Sequence, residues 1–564
     1  MNDVNKPEAA RRKGLAVASL VIGIVSIPTI GLVMVGAITG LLLGIVALRN
    51  IKRAPSVYGG QGLAIAGIVT NAVAIIVGVP LMLMGLSALF IYMRRPPASM
   101  PVRVRSLAVL PFDSLGSIGP PGEEDSLGFG IADALTTRLG GLGTVVVRPS
   151  SSLREYAPVE NAISAGRELD VDAVLEGTIQ RRYERLRVTA RLVNVESGRT
   201  LWSDTREELW ANLLTVEDSI AEKVIEALGL GLTSEERKRL TRHGTDSVDA
   251  HELYLRGRFH LRGFSKDRVK RAIEYYQKAI ELDPAYALAY ARLAEAYSEL
   301  AIDSDAAPQD VMPRAREAAM KALELDDQLA EAHASLGICA VFYDRDWARA
   351  DAEFRRALEL SPNYADAHLH LARYLQASGR ADEAGSEIRR AAELDPASPV
   401  IDIERGWQYL YEREYDRAIE HLRKARYKDP RWSAASLPLA RAYNANGMYA
   451  EAIAELTRGT QLISNSPALR AEMGCAYAGS GRRDEALRIL NELKQRAAQE
   501  HVDPAFIALI HASLGQRDQA LAELENAYVD RSPRLSFIKA DPGFDSLRRD
   551  PRFADLVRRM GFAP

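Results

Sequence analysis

Hydrophobic and polar positions divide the chain into three regimes. Residues 14–48 and 62–93 contain no Asp, Glu, Lys or Arg, and the hydrocarbon core of a bilayer needs only about 20 apolar residues in a helix. From about residue 105 the pattern changes to short apolar runs separated by turn residues. Ser106-Leu-Ala-Val-Leu-Pro-Phe112 predicts a buried strand closed by proline, and residues 113–124, rich in Gly, Pro and Ser, predict a loop. Ile131, Leu135 and Leu139 at helical spacing predict a helix over 126–142. A strand at 144–147, a helix at 162–169 and strands at 173–182, 187–195 and 200–205 follow. Strict alternation along Arg187-Val-Thr-Ala-Arg-Leu-Val marks a sheet with one wet face. Ser197-Gly198 supplies a turn, and an amphipathic helix over 213–228 closes an α+β unit of about 125 residues.

The third regime begins near residue 250, where a period of about 34 sets in. Pro362, Pro396 and Pro430 are 34 apart. Small residues recur in pairs at Ala384/Ala391, Ala418/Ala425 and Ala452/Gly459. Tyr297, Tyr409, Tyr443 and Tyr477 mark first helices, and Gly447, Gly481 and Gly515 mark turns. Two antiparallel helices approach closely only where side chains are small, and each pair buries its remaining apolar face on the next. About eight units are expected over 248–533, starting near 250, 285, 330, 365, 399, 433, 467 and 501. The second carries an insertion around Asp303–Gln309, and the third is one residue long near Asp344-Arg-Asp346. The predicted fold is therefore multidomain: N-terminal transmembrane helices, an α+β middle domain and an all-α solenoid.

The first apolar run, about 35 residues, is too long for one straight span and for a signal-peptide core. Pro28-Thr29-Ile30-Gly31 near its middle favours a hairpin of two short spans, 15–29 and 31–48. One long kinked span is the alternative. Gly36, Gly40 and Gly44 repeat every four residues. This small-xxx-small stripe suits close helix packing in a membrane, within the hairpin or in self-association. Residues 62–93 form the next span, with a kink expected at Pro80. Basic residues complicate the topology. Arg11-Arg12-Lys13 and the loop bearing Arg49, Lys52 and Arg53 both favour the cytoplasm, leaving residues 1–13 inside. Three spans then put Arg94-Arg95 outside, whereas two keep every basic cluster inside. Pro96 to Pro101 forms a stiff spacer within a linker over 94–104.

Composition narrows the function classes. A chain of 564 residues needs several cores, and a net charge of −3 offers no basic face for nucleic acid. The two cysteines, Cys339 and Cys475, are far apart and read as buried thiols. Neither a metal site nor a cofactor is expected. Gly128-Phe-Gly130 opens a helix and resembles a phosphate loop, but position 133 is Asp where a third glycine belongs, so a helix start is the preferred reading. Arg148-Pro-Ser-Ser-Ser152 reads as a polar turn, and Glu217-Asp218 as acids favoured early in a helix. His368 and His370 have no acidic partner at metal-ligand spacing. No kinase loop, P-loop, zinc spacing or nucleophile elbow is present, which argues against an enzyme. The apolar runs lack the ionisable residues of a transport pathway.

Three resemblances add to this. Gly14-Leu-Ala-Val-Ala-Ser, Leu43-Gly-Ile-Val-Ala-Leu-Arg-Asn-Ile-Lys-Arg and Gly60-Gln-Gly-Leu-Ala-Ile-Ala-Gly resemble a small Gly-rich bacterial membrane domain of unknown function. Leu107-Ala-Val-Leu-Pro-Phe112, Gly130-Ile-Ala-Asp-Ala-Leu135, Val174-Leu-Glu-Gly177 and Leu201-Trp202 resemble the TolB-like amino-terminal (FlgO-like) domain, here spanning 105–230. That resemblance implies an envelope-associated or sensory module and no reaction. The 34-residue period resembles the tetratricopeptide repeat. Asp541-Pro-Gly-Phe544 and Leu547-Arg-Arg-Asp-Pro-Arg-Phe553 resemble an ending of such arrays, so 534–564 is expected to cap the last pair.

The repeat phase, carried over from that family, turns Arg373, Trp407, Tyr411, Arg441 and Asn444 toward a concave face that binds protein or peptide partners. Arginine there suits a carboxylate and the aromatics suit an apolar anchor. Packing between repeats is the alternative role. The expected function is a non-enzymatic scaffold or sensor tethered in the bacterial cytoplasmic membrane, with no nucleic-acid partner. Its soluble part is extracytoplasmic or, with two spans, cytoplasmic. The alternative is an accessory signalling effector working with a separate cyclase, kinase or transcription regulator.

Overall fold

The computed structural model describes residues 14, 18–19, 21–22, 33–55, 57–94, 104–116, 125–142, 145–148, 162–240, 243–261, 266–303, 306–428, 433–463 and 466–562. The expected N-terminal segment 1–13, most of the span 15–29, residues 95–101 of the linker, most of the loop 113–124, the turn 149–152 and Pro430 lie outside them. The chain forms two compact units, residues 1–102 and 103–564, each described here by itself.

In the first unit α1 (Val33–Arg53) and α2 (Gln61–Arg94) are both long and apolar enough to cross a membrane. Helix α1 outlasts the expected span at 48 because the basic residues Lys52 and Arg53 fall in its last turn, where the helix dipole favours them. Helix α2 continues through Pro80. The glycine stripe is used inside the unit. A side chain at Gly40 would overlap the amide of Asn71, and one at Gly44 would lie 2.7 Å from Ile68, both on α2. Gly36 is half-buried. Asn71 donates to Gly67 O (2.7 Å) and Ser19 O (3.0 Å), and Ser19 Oγ donates to Gly40 O (2.8 Å).

The second unit opens with a mixed sheet. Its strands are β1 (Ser106–Val109), β2 (Asp113–Ser114), β3 (Val146–Arg148), β4 (Ala173–Arg182), β5 (Arg185–Asn194) and β6 (Thr200–Leu209). The order is β3-β1-β4-β5-β6, with β2 beside β4. Strands β1, β3 and β4 are parallel, and β4-β5-β6 is an antiparallel meander. The short strand β2 occupies part of the expected loop. Strand β6 runs four residues past the expected end, because the charged stretch Arg206-Glu207-Glu208 can pair on an exposed edge. Helices α3 (Ser126–Gly140), α4 (Ala162–Glu168) and α5 (Leu213–Ala227) cover the sheet. The glycines at the start of α3 are there for close approach. A Cβ at Gly128 would collide with Phe112 O, and one at Gly130 with Leu255 of the first repeat helix.

Glu217 and Asp218 depart from the dipole reading. They lie beyond the first turn of α5, and Glu217 is buried among Arg138, His243 and His251. A short helix, α6 (Ser234–Leu240), fills the stretch before the repeats.

Eight helix pairs follow among the described residues. They are Val248–Leu261 with Lys266–Leu282, Ala287–Ile302 with Pro308–Leu325, Ala330–Cys339 with Trp347–Leu360, Ala365–Ser378 with Ala381–Leu394, Pro399–Tyr411 with Tyr415–Lys428, Ser436–Ala445 with Tyr449–Leu462, Pro467–Gly479 with Arg483–Ala497, and Pro504–Ser513 with Arg517–Val529. Ala384, Ala391, Ala418, Ala425 and Ala452 are fully buried at the helix contacts. The extra residue near Asp344 is absorbed by a π-helical turn at Ala340–Asp344, which takes five residues where the helix takes four. Gly379, Gly447, Gly481 and Gly515 close inter-helix turns in the left-handed region. Arg345 (φ 59°), Arg413 (φ 67°) and Arg531 (φ 56°) adopt the same conformation without glycine's freedom.

Those three arginines hold the array closed. Arg345 donates to Tyr528 O (2.9 Å), Arg531 to Tyr343 O (2.7 Å), and Arg413 to Asp545 (2.7 Å). Trp347 Nε1 donates to Met560 O (2.9 Å), and its ring packs on Phe562. The tail, with the helix α7 (Pro551–Arg559), buries Leu535, Ile538, Phe544, Leu547, Phe553 and Leu556 with the last helix pair. It also reaches back across the array: Ser536 Oγ donates to Val341 O (3.3 Å), and Phe537 stacks on Tyr411. The tail thus does more than the expected terminal cap.

The sheet domain and the repeats share one hydrophobic core, running from Val104 to Ile401. Arg258 of the first repeat helix pairs with buried Asp133 of α3. Arg148 of β3 donates to the carbonyls of Glu393 (2.6 Å) and Leu394 (3.0 Å), the free end of helix Ala381–Leu394.

Candidate functional site

Four of the five residues placed on the concave face by repeat phase line a single cavity of about 630 Å³: Arg373, Trp407, Tyr411 and Arg441. First helices of successive pairs supply these side chains, and the tail supplies Arg534, Phe537 and Asp541. Asn444 is not among the lining residues. Its amide donates to Glu472 O (3.0 Å) and Oε2 (3.2 Å), tying two first helices together.

Trp407 and Tyr411, one helical turn apart, stack at 5.6 Å, and Tyr411 stacks on Phe537 at 5.3 Å. The three rings form a continuous apolar wall. Burial, with Asp541 nearby, pushes the Tyr411 hydroxyl above its ordinary value, so it stays a neutral donor.

The charges along this wall are mostly spent inside the protein. Arg373 donates to Glu404 (2.6 and 3.0 Å), whose side chain is 2% exposed. Arg441 pairs with Asp541 and lies 3.4 Å from Glu472. The expectation that these arginines face a ligand carboxylate meets an internal carboxylate in each case. Arg534 differs. Its guanidinium lies 4.7 Å over the Phe506 ring, and it forms no ion pair among the described residues. Burial and the neighbouring Arg441 pull it below the usual arginine value. Glu299, at another part of the lining, is pushed up to about 8 by burial and by Asp303.

Arg534, Phe537 and Asp541 were not singled out from sequence because the tail lies outside the 34-residue period. Only the Asp541-Pro-Gly motif marks it, and its backbone explains that motif: Asp541 Oδ1 accepts from Gly543 N (2.9 Å) and caps the turn Pro542–Leu547. His368, expected to have no acidic partner at metal-ligand spacing, makes a single ion pair with the second helix of its unit. Its Nδ1 lies 2.6 Å from Glu387. His370 is held neutral, its value pulled to about 3 by burial and Arg373. Cys339 and Cys475 are free, and burial pushes the Cys339 thiol up to about 12. Cys339 is buried as expected, whereas Cys475 is only partly buried.

Residues 264–300, 341–402 and 409–471 match models of the tetratricopeptide repeat, a repeat that indicates protein–protein interaction. Residues 15–81 match a domain of unknown function, DUF4190. Among curated relatives, putative adenylate cyclase 3 of Rhizobium meliloti is 28% identical over 245 residues, 43% of this chain and 41% of that protein. The transcriptional regulator HilA of Salmonella typhimurium is 25% identical over 293 residues, 51% of this chain and 50% of that protein. The chain thus spans about half the length, or less, of the curated relatives it matches. The solved structure of Pseudomonas aeruginosa pilF is similar over 39% of this chain and 94% of its own, at 21% identity and a TM-score of 0.30.

Two outcomes are expected. Arg441→Ala leaves Asp541 and Glu472 buried without their cation, so it should lower stability to urea by about 3–5 kcal/mol. Glu299 binds its proton more tightly in the folded chain than in the unfolded one. The stability carried by that proton is complete below the ordinary value of 4.5 and is lost as the pH rises to about 8. Glu299→Gln should therefore melt like the parent at pH 4 and at a higher temperature than the parent at pH 9, read by circular dichroism.

Proposed function

We propose that this protein is a non-enzymatic scaffold tethered in the bacterial cytoplasmic membrane, which receives a peptide segment of a protein partner in the cavity of its repeat array. The observation that carries this reading is the pairing of an aromatic wall, Trp407–Tyr411–Phe537, with a guanidinium, Arg534, that lies over Phe506 and forms no ion pair among the described residues. Such a surface suits a segment presenting one carboxylate beside an apolar or aromatic side chain. The neutralised arginines Arg373 and Arg441 act as positioning residues, holding Glu404 and Asp541 away from that carboxylate.

Helices α1 and α2 supply the tether, and their length and composition support it. Residues 105–230 supply a TolB-like module, supported by the sequence landmarks and by the sheet they fold into. Similarity to proteins described as a cyclase and as a transcriptional regulator supports a second reading, an accessory signalling effector acting through partners of those kinds.

A photo-crosslinking residue at Leu437, on the cavity wall, tests the first reading in cells. The expected result is a crosslinked polypeptide partner, lost in Arg534→Ala and Trp407→Ala. A crosslink only to the chain's own tail sinks it. The tether is tested by a reporter active only outside the cytoplasm, fused after Pro101 in membrane fractions. Recovery of the fusion in the soluble fraction refutes tethering, and the reporter's activity assigns the side.

A further inference from the structure

Where the sheet domain meets the first repeat, a set of metal-ligating side chains converges away from the groove. Glu217 comes from α5, His243 from the segment before the array, and His251 from the first repeat helix. One ligand atom from each lies within 4.8 Å of the others. His251 Nε2 is 3.1 and 3.2 Å from the two Glu217 oxygens, and His243 Nδ1 is 3.9 Å from Glu217 Oε2. Asp218, next along α5, places Oδ1 2.7 Å from His243 Nε2.

A buried ion-pair knot explains part of this arrangement. Arg138 lies 3.4 Å from Glu217, pairs with Asp218 and donates Nε to Leu240 O. It does not explain the imidazoles. The His243 ring is only 10% exposed, and while Nε2 faces Asp218, Nδ1 has no hydrogen-bond partner. Orphaned polar groups of this kind cost stability unless something occupies their lone pairs.

The spacing indicates what that is. Tetrahedral coordination at about 2.0–2.1 Å separates ligand atoms by about 3.3–3.4 Å. His251 Nε2 stands 3.1 and 3.2 Å from the Glu217 oxygens, close to that edge, and His243 Nδ1 stands at 3.9 Å, slightly beyond it. The second layer is also in place. The Tyr286 hydroxyl sits 3.1 Å from His251 Nδ1, which leaves Nε2 as the inward-facing atom, and Arg138 steadies both carboxylates from outside.

We propose that Glu217, His243 and His251 bind one divalent transition-metal ion of the zinc type through His243 Nδ1, with Asp218 holding His243 Nε2 from outside and solvent completing the coordination. The ion clamps α5 of the sheet domain to the first repeat helix. Mixed imidazole and carboxylate donors suit zinc over calcium or magnesium, which take oxygen alone.

The test uses the full chain in detergent, stripped with a chelator, loaded with zinc and dialysed against metal-free buffer. The expected result is about one zinc retained per chain and a melting temperature that rises on loading. His243→Asn should lose the metal while keeping its far-ultraviolet circular dichroism, and Cys475→Ser should retain it. A parent chain that leaves dialysis without zinc overturns the proposal, as does undiminished retention in folded His243→Asn. The cobalt-loaded parent gives a reading independent of whether any variant folds. Tetrahedral bands without sulfur charge transfer support the site. Octahedral or sulfur-type spectra overturn it.

Discussion

The second unit depends on a buried cation shared between distant carboxylates. Arg441, 4% exposed, pairs with Asp541 of the tail and lies 3.4 Å from Glu472 of the following repeat. Burying one arginine and two acids is costly, and the arrangement holds only because each group is positioned by others. Asp541 is fixed by its turn, Glu472 by Asn444, and Arg441 by the Trp407 ring beneath it. With the tail seated there, Phe537 completes the aromatic wall and Arg534 is brought over Phe506. The cavity is therefore a joint product of repeats and tail.

Much of this organisation is legible in the sequence, for physical reasons that differ by region. Strand β4 falls on the expected residues 173–182, because a buried parallel-edge run followed by an alternating one has few other solutions. The repeat helices follow from small residues and turn glycines, whose spacing is fixed by close helix contact. Trp407 and Tyr411 could be placed on the inner face because helical phase fixes direction. What those residues touch could not be read this way. Arg373 and Arg441 meet Glu404 and Asp541 across gaps of 31 and 100 positions, and no local pattern encodes such pairs. Glu217 was misread for the same reason: its partners lie on α3, in the segment before the array and on the first repeat helix.

The seam between sheet and repeats has its own logic. Arg148 satisfies the exposed carbonyls at the end of helix Ala381–Leu394, about 245 residues away in sequence. Arg258 and Asp133 cross the junction at the first repeat, and Gly130 brings the two backbones close. These contacts, with the continuous core, fix the sheet domain to two separate places on the array. The cavity is thus held at a set orientation to the exposed β6 edge.

Arg345, Arg413 and Arg531 carry a further implication. A linear solenoid behaves as a one-dimensional chain, in which each repeat feels only its neighbours and the ends fray first. Here left-handed arginines at three turns are used to reach the far end, joining residues near 343–347 to residues near 528–562. The chain of neighbours becomes a circuit. From the third helix pair to the tail no end is left to unravel alone, so that stretch should melt as a single cooperative block rather than peel from its C-terminal end.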